Sequence, residues 1–322
     1  MRFRSWWTSL RPRRDVRDAT SFWDREVVQK QHSSWLEEWW LREYANTLIG
    51  GDMPLWPMDW LQRWLGGRTF ERALTIGCGN GALERDLVRR NLVRKIDAFD
   101  GSITSLAIAS REAAKEQMQS RIRYFAADFN APAFPKATYD LVLFQESAHH
   151  VLRLEKLFHA VLRALKPDGL VYMDEYVGPS RFEWNDARMA PYRRIYDALD
   201  PALRAVPHLD CPVMIDDPSE AVRSSEIEPL LAVGFDIVQR RPYGGNLLSV
   251  IYPALRSLPV DLRERLIEEE QRWLATGASF SAIIVARPKQ GVRRLLGSAR
   301  YWLVPKLQRV GREVRLFGVR RR

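Results

Sequence analysis

Cysteine is nearly missing from this chain. Two occur among 322 residues, Cys78 and Cys211, too few and too far apart for a disulfide framework or a thiolate metal site. No apolar run approaches the ~20 residues a membrane-spanning helix requires. The first residues, Met1-Arg-Phe-Arg-Ser-Trp-Trp7, lack the continuous apolar region of a secretory signal. Internal repeats and low-complexity tracts are absent too. What is present is a globular composition, 46% apolar and 28% charged, with chain enough for one large domain or two small ones. These absences predict a cytosolic protein without a metal.

The most informative stretch is residues 73–81. Four strand-forming residues, Ala73-Leu-Thr-Ile76, run directly into Gly77-x-Gly79-x-Gly81, and a helical pattern (Ala82, Leu83, Leu87, Val88) follows. Glycine permits positive φ and lets a ligand approach the backbone without a Cβ in the way. The helix start behind it presents free N–H groups to a polar ligand. A nucleotide-like cofactor is expected there, but the turn does not choose one. Read as Gly77-x-Gly79-x-x-Ala82, it also fits the dinucleotide fingerprint of nicotinamide-dependent oxidoreductases. A second strand, residues 95–100, ends in Asp100 about twenty residues past the turn, at the spacing of an acid that accepts from a ribose diol. A third ends at Asp128-Phe129. The run Tyr139-Asp-Leu-Val-Leu-Phe144 has the continuous apolar character of a parallel strand covered on both faces. Residues 165–173 read as a helix end, a turn and a fifth strand.

In this order the segments resemble the class I S-adenosylmethionine-dependent methyltransferases over roughly residues 35–287. The resemblance implies a Rossmann-like α/β fold: seven mainly parallel strands, the last antiparallel, with helices on both faces. It implies that Gly77, Cys78, Gly79, Asn80 and Gly81 form the cofactor turn. Asp100, with Gly101 and Ser102, would hold the ribose; Asp128 and Phe129 would bracket the adenine; Gln145 would complete the site. Residues 174–184, 217–224 and 243–248 look like a bacterial subgroup often found near glycan or secondary-metabolite genes. One departure stands out. Many methyltransferases carry an acid where this chain has Thr75, helping to hold the methionine amine, and a hydroxyl cannot supply that charge.

For the chemistry, residues just past the fourth strand matter most, because strand C-terminal ends face the ligand crevice in such sheets. These are Gln145-Glu146-Ser147-Ala148-His149-His150. A hydroxyl acceptor benefits from a general base, and histidine titrates in the useful range. His149 or His150 is the candidate base, Glu146 the group that orients or holds the acceptor, and Glu175 and Tyr176 are further candidate acceptor contacts. Capping or packing is the competing reading for the adjacent histidines. Asp217-Pro218-Ser219-Glu220 reads as an ordinary helix start rather than catalytic carboxylates.

Charge separates the ends from the middle. Residues 287–322 hold twelve Lys/Arg against Glu313, a net +11, and residues 1–14 hold five Arg and no acid. Residues 15–286 therefore carry 33 basic and 39 acidic residues, a net −6 against +10 for the whole chain. Val292, Leu295, Leu296, Ala299, Trp302 and Leu303 recur at helical spacing, and Leu307, Val310, Val314 and Phe317 form a second stripe among arginines. That pattern describes an interfacial helix on an anionic membrane, contacted through residues 289–322 and by residues 1–14, where Trp6 and Trp7 stand among arginines; an apolar stripe packed on the domain; or, with less motif support, a nucleic-acid contact. Three parts follow: residues 1–66, a basic, tryptophan-rich helical layer over the cofactor site; residues 67–287, the methyltransferase domain, with 178–218 as an insertion capping the acceptor; and a basic tail, residues 288–322. The expected function is S-adenosylmethionine-dependent O-methylation of a glycan, lipid-linked or small-molecule acceptor, with peripheral membrane association. The alternatives are a nicotinamide-dependent oxidoreductase or a non-catalytic adaptor.

Overall fold

The computed structural model describes residues 21–26, 34–214, 216–291 and 298–301. The arginines at residues 1–14 and most of the two basic helical stripes lie outside these residues. Where the first stripe is described, the pattern is shifted from the expected one. Ala299 is exposed and Tyr301 is buried, its hydroxyl accepting from Gly234 N and donating to Leu230 O. A polar aromatic can be buried there because two backbone groups satisfy its hydroxyl.

The core is a seven-stranded sheet in the order β3-β2-β1-β4-β5-β7-β6. Its members are β1 (Phe70–Ile76), β2 (Val93–Asp100), β3 (Ile122–Ala126), β4 (Tyr139–Gln145), β5 (Leu165–Tyr176), β6 (Phe235–Gly244) and β7 (Ser281–Pro288). β1 to β5 pair in parallel, and β7 runs antiparallel to both β5 and β6. This is the expected topology, and the antiparallel β7 sets it apart from the all-parallel dinucleotide-binding sheet. Residues 166–169, expected as a turn, lie inside β5 as an irregularity in its pairing with β4.

Strand alternation divides the apolar residues between two faces. Leu74, Ile76, Val142, Phe144, Val171 and Met173 pack with α5 (Leu154–Ala164) and α7 (Ile227–Gly234). Ala73, Leu141, Leu143, Leu170 and Tyr172 pack on the other face with α1 (Trp39–Gly50), α2 (Pro57–Leu65) and α3 (Ala82–Arg89). Trp35, Trp40 and Trp60 are buried in that second layer, whereas Trp39 and Trp56 are exposed. Most of the tryptophan excess among the described residues thus goes into covering one face of the sheet.

Between β5 and β6 stand α6 (Asp186–Asp197) and α7, with short 3-10 turns. Tyr192 and Tyr196 of α6 are buried: Tyr192 meets Trp273 edge-on at 4.9 Å, and Tyr196 Oη lies 2.8 Å from Ala254 O. The segment 243–248 is likewise architectural. Buried Glu270, on α9 (Val260–Leu274), accepts from Asn246, Leu247 and Leu248 N–H at 2.9, 2.6 and 3.1 Å, and so caps α8 (Leu248–Ile251). Tyr243 Oη donates to Asp174 at 2.7 Å.

Candidate functional site

A cavity of about 590 Å³ opens at the C-terminal ends of β1, β2 and β4. Its size suits a cofactor together with part of a second molecule. The glycine turn forms one wall. Gly77, Gly79 and Gly81 all have positive φ, for two distinct reasons. A Cβ on Gly77 would collide with Ser147, and one on Gly81 with Tyr124 and Ala109; nothing stands within 4 Å of the Cβ position at Gly79. The turn is therefore pressed onto the sheet at its ends and open to a ligand at its middle. Gly79 N–H donates to Asp100 Oδ2 at 2.8 Å, and Asp100 Oδ1 accepts from Ser102 N–H at 2.8 Å. Burial pushes the Asp100 carboxyl up, and these amides pull it back.

Of the expected cofactor residues, Gly77, Cys78, Gly79, Asn80, Asp100, Gly101, Ser102, Asp128, Phe129 and Gln145 line the cavity, and Gly81 sits directly behind it as the residue preceding α3. Phe129 leans on Phe99 at 5.4 Å, and Asp128 Oδ1 accepts from Asn130 N–H at 2.7 Å. The turn with an open central glycine, the acid that ends β2 and the acid–aromatic pair after β3 together fit an adenosine-bearing cofactor.

The chemistry-bearing residues divide into a wall and what stands behind it. Gln145, Glu146, Ser147 and His150 line the cavity; His149, Glu175 and Tyr176 are not among its lining residues. Fully buried Glu175 is a structural hub: one oxygen accepts from Ser147 and Ala148 N–H at 3.0 and 2.6 Å, and the other pairs with His149 Nδ1. Tyr176 Oη donates to Pro179 O at 3.1 Å. Glu146 holds the sharp turn off β4 with φ +48°, a conformation that costs a non-glycine residue about 1 kcal/mol. Its side chain is accessible, but only within a wall of protein. That enclosure, then the charge of Glu175, push its carboxyl up to about 8.

The two histidines are driven apart. Burial alone would lower His149, but Glu175 and Glu220 outweigh it and raise it to about 10, so it is an imidazolium at neutral pH. Burial, and then the positive charge of His149, hold His150 well below its ordinary 6.5, so it is neutral. The His150 tautomer also follows from its partners. Ser219 Oγ gives its proton to Asp217 Oδ1 at 2.7 Å, so His150 Nδ1, 3.1 Å from Ser219 Oγ, is the donor there. The lone pair is left on Nε2.

Asp217, Ser219 and Glu220 were expected to begin a helix. They form a turn instead, and the helix begins at Ile227 after a 3-10 turn at Ser224–Glu226. The Asp217 carboxylate is taken by Ser219 and by Trp23, whose Nε1 donates to Oδ2 at 3.0 Å. Pro218, Ser219 and Val222 reach the cavity. Trp23 and Glu26 do so from helical residues 21–26, and Asp24 Oδ1 accepts from Ser102 Oγ and Thr104 N–H at 2.6 and 3.0 Å. Sequence reasoning missed Trp23, Asp24, Asp217 and Ser219 as parts of the site, because their links to it, Trp23 to Asp217, Asp24 to Ser102 and Ser219 to His150, join residues far apart in the chain. It also missed Glu84, fully buried on α3 and lining the cavity; its cue was an acid among the apolar positions of an amphipathic helix.

Among the described residues, two groups bring metal-ligating atoms within 4.8 Å of one another: His149, His150 and Glu220, and Glu146, His149 and Glu175. The ion pair His149 makes with Glu175, and the hydrogen bond of His150 to Ser219, already use one nitrogen of each ring.

Residues 74–173 match the family model described as a methyltransferase domain. The ubiquinone biosynthesis O-methyltransferase of Aeromonas salmonicida is 27% identical over 116 residues, covering 36% of this chain and 48% of that protein. The 27-O-demethylrifamycin SV methyltransferase of Amycolatopsis mediterranei is 26% identical over 153 residues, covering 45% and 50%. The chain thus spans about half the length of these curated relatives. Among solved structures, geranyl diphosphate C-methyltransferase from Streptomyces coelicolor A3(2) superimposes with a TM-score of 0.51 at 15% identity, covering 87% of this chain and 100% of that one. Its likeness is one of fold. The sheet topology is Rossmann-like, and residues 74–173 within it match a methyltransferase domain.

Proposed function

We propose that this chain transfers a methyl group from S-adenosylmethionine to an oxygen of a small-molecule, glycan or lipid-linked acceptor. The observation that carries the oxygen acceptor is the contrast between the histidines: a neutral imidazole, fixed in one tautomer by Ser219 and Asp217, lines the cavity beside Glu146. Such a group accepts the proton that a hydroxyl gives up as its oxygen becomes a nucleophile. When bound, S-adenosylmethionine supplies an electrophilic methyl on a sulfonium. The chain's part is to hold that methyl and the acceptor oxygen in line, to exclude water and to receive the proton. Asp100 would hold the ribose, Asp128 and Phe129 the adenine, and the open face of Gly79 the methionyl portion. His149, as an imidazolium locked to Glu175, supports the wall rather than acting as the base.

The name of the Aeromonas relative, an O-methyltransferase, supports an oxygen acceptor. Residues 174–184 and 217–224, which resemble a bacterial subgroup near glycan and secondary-metabolite genes, support the acceptor classes. The basic tail supports a site of action at an anionic membrane. Calorimetric titration of the wild type and Asp100→Ala with S-adenosylhomocysteine, NAD and NADP tests the cofactor. Micromolar binding of the homocysteine product, weakened at least tenfold by the substitution, is expected; binding of a nicotinamide cofactor in its place would overturn the reading. Tritiated methyl groups from S-adenosylmethionine, followed into lipid, glycan and small-molecule extracts, then identify the acceptor.

A further inference from the structure

Glu84 stands on the first turn of α3, directly behind the glycine turn, and is fully buried. It lines the cavity, yet neither of its carboxylate oxygens has a hydrogen-bond partner. The hydroxyl of Thr75, at the end of β1, is in the same condition: fully buried, lining the cavity, unpartnered. The nearest cation does not answer them. Arg85 donates to Asn80 O at 2.9 Å and reaches Glu116 at 3.0 Å. A lone buried carboxylate is among the costliest groups a protein can hold, so one aimed at a ligand cavity implies a ligand that brings charge and donors.

Among the groups of S-adenosylmethionine, only one brings both. The sulfonium is positive but has no hydrogen to donate, the ribose hydroxyls and adenine amine donate but are neutral, and the carboxylate is an acceptor. The α-ammonium carries a positive charge and three N–H donors, matching two carboxylate oxygens and a hydroxyl. On the cofactor reading given above, we propose that Glu84, with Thr75 beside it, is the counter-charge for the methionyl α-ammonium. The acid that a hydroxyl at Thr75 cannot supply from the strand end comes from the following helix. Glu84 is therefore a cofactor-positioning residue that sets the sulfonium's distance from the acceptor.

Protonation offers a readout besides activity. Burial pushes Glu84 up to about 7, with loose contacts to its own helix backbone, Thr75 and Arg85 pulling down and Asp100 pushing up. The other titratable groups facing it, the Cys78 thiol and the Tyr124 phenol, are pushed up by burial and stay neutral at pH 7. An arriving ammonium favours the carboxylate, so binding expels the proton Glu84 holds.

The experiment is calorimetry on the full chain at pH 7, in two buffers of different ionisation enthalpy. The ligands are S-adenosylhomocysteine and its analogue that keeps the carboxylate and lacks the amine. The wild type should favour S-adenosylhomocysteine by about 30- to 100-fold, the worth of a charged hydrogen-bonded pair. It should release on the order of half a proton with that ligand and none with the analogue. Glu84→Gln should lose the preference, leave the analogue's affinity within about threefold, and recover part of the preference when combined with Thr75→Asp. Equal wild-type affinities for the two ligands, or a Glu84→Gln loss equal for both, would overturn the proposal while leaving the methyltransferase reading intact. Binding of neither ligand by the wild type would overturn both. Should Glu84→Gln fail to fold, the wild-type preference and proton release decide alone.

Discussion

A buried carboxyl without a hydrogen-bond partner destabilises the fold wherever it must ionise. Glu84 rises from an ordinary 4.5 to about 7 in the folded chain. Between those values the folded state holds a proton that the unfolded state has released, so stability falls as pH rises through that window. The gap is worth about 3 kcal/mol as an order of magnitude. Glu84→Gln removes it. Without ligand, the wild type should lose about 3 kcal/mol more than the variant between pH 5 and pH 8, measured by urea denaturation at both. Parallel losses would mean that Glu84 is already satisfied. The histidines carry a second prediction, made with whichever acceptor the tritium screen yields. His150→Ala should lower methyl transfer by about 10²- to 10⁴-fold without weakening S-adenosylhomocysteine binding. Because His150 stays neutral well below pH 6.5, wild-type kcat/KM for the acceptor, measured with S-adenosylmethionine saturating so that Glu84 is already ionised, should be flat from pH 6 to 8. If Glu146 were the base, the rate would instead climb through its value of about 8, because only its carboxylate accepts a proton.

The segment at residues 21–26 ties two sides of the cavity together. Asp24 accepts from Ser102 and Thr104, assisting the start of α4 (Ile103–Lys115), while Trp23 donates to Asp217 on the opposite turn. Asp24→Ala should cost about 1 kcal/mol in stability, as loss of a cap does. It should also speed S-adenosylhomocysteine release several-fold, followed by stopped-flow tryptophan fluorescence. An unchanged release rate would reduce the segment to packing. These ties also explain what the sequence could disclose. Strands such as Tyr139–Gln145 and the turn at Gly77 were legible because alternation, apolar runs and glycine spacing are local signals. Trp23 and Asp217 lie 194 residues apart, and no periodicity connects them. At residues 217–220 the local cap bond forms, Ser219 N–H to Asp217 Oδ1, but the chain turns instead of continuing as a helix, and Asp217 Oδ2 goes to distant Trp23. Glu175 shows the converse. Its place at the end of β5 was legible, but that it would spend its oxygens on Ser147, Ala148 and His149 was not. Residues 243–248, read as resembling a subgroup signature, also hold the backbone that Glu270 caps and the Tyr243–Asp174 bond, neither of which the sequence disclosed.

Taken whole, the chain is bipolar, with a net charge of −6 across residues 15–286 between two strongly basic ends. Tyr301 closes the described part of the tail against Gly234 and Leu230, so a chain cut at residue 288 would lose a packing element along with its charges. A chain ending at residue 301 keeps that anchor and loses only residues 302–322, which hold seven Lys/Arg and Glu313. Among the described residues no helix is long and apolar enough to cross a membrane. Each basic residue near an anionic bilayer contributes about 1 kcal/mol; if half of the seven reached it, the tail would add roughly 3 kcal/mol. Attachment of that strength is reversible and sensitive to salt. In flotation with vesicles rich in anionic lipid at 0.1 M salt, the full chain should rise with the lipid and the shorter chain should remain below, both with unchanged S-adenosylhomocysteine affinity. Raising the salt to 0.5 M should release the full chain, since screening then acts within a few ångströms. Equal flotation of the two chains would remove residues 302–322 from any membrane contact, and failure of both to rise would remove the membrane from the proposed function. Loss of flotation together with loss of cofactor affinity would mean that residues 302–322 serve the fold instead.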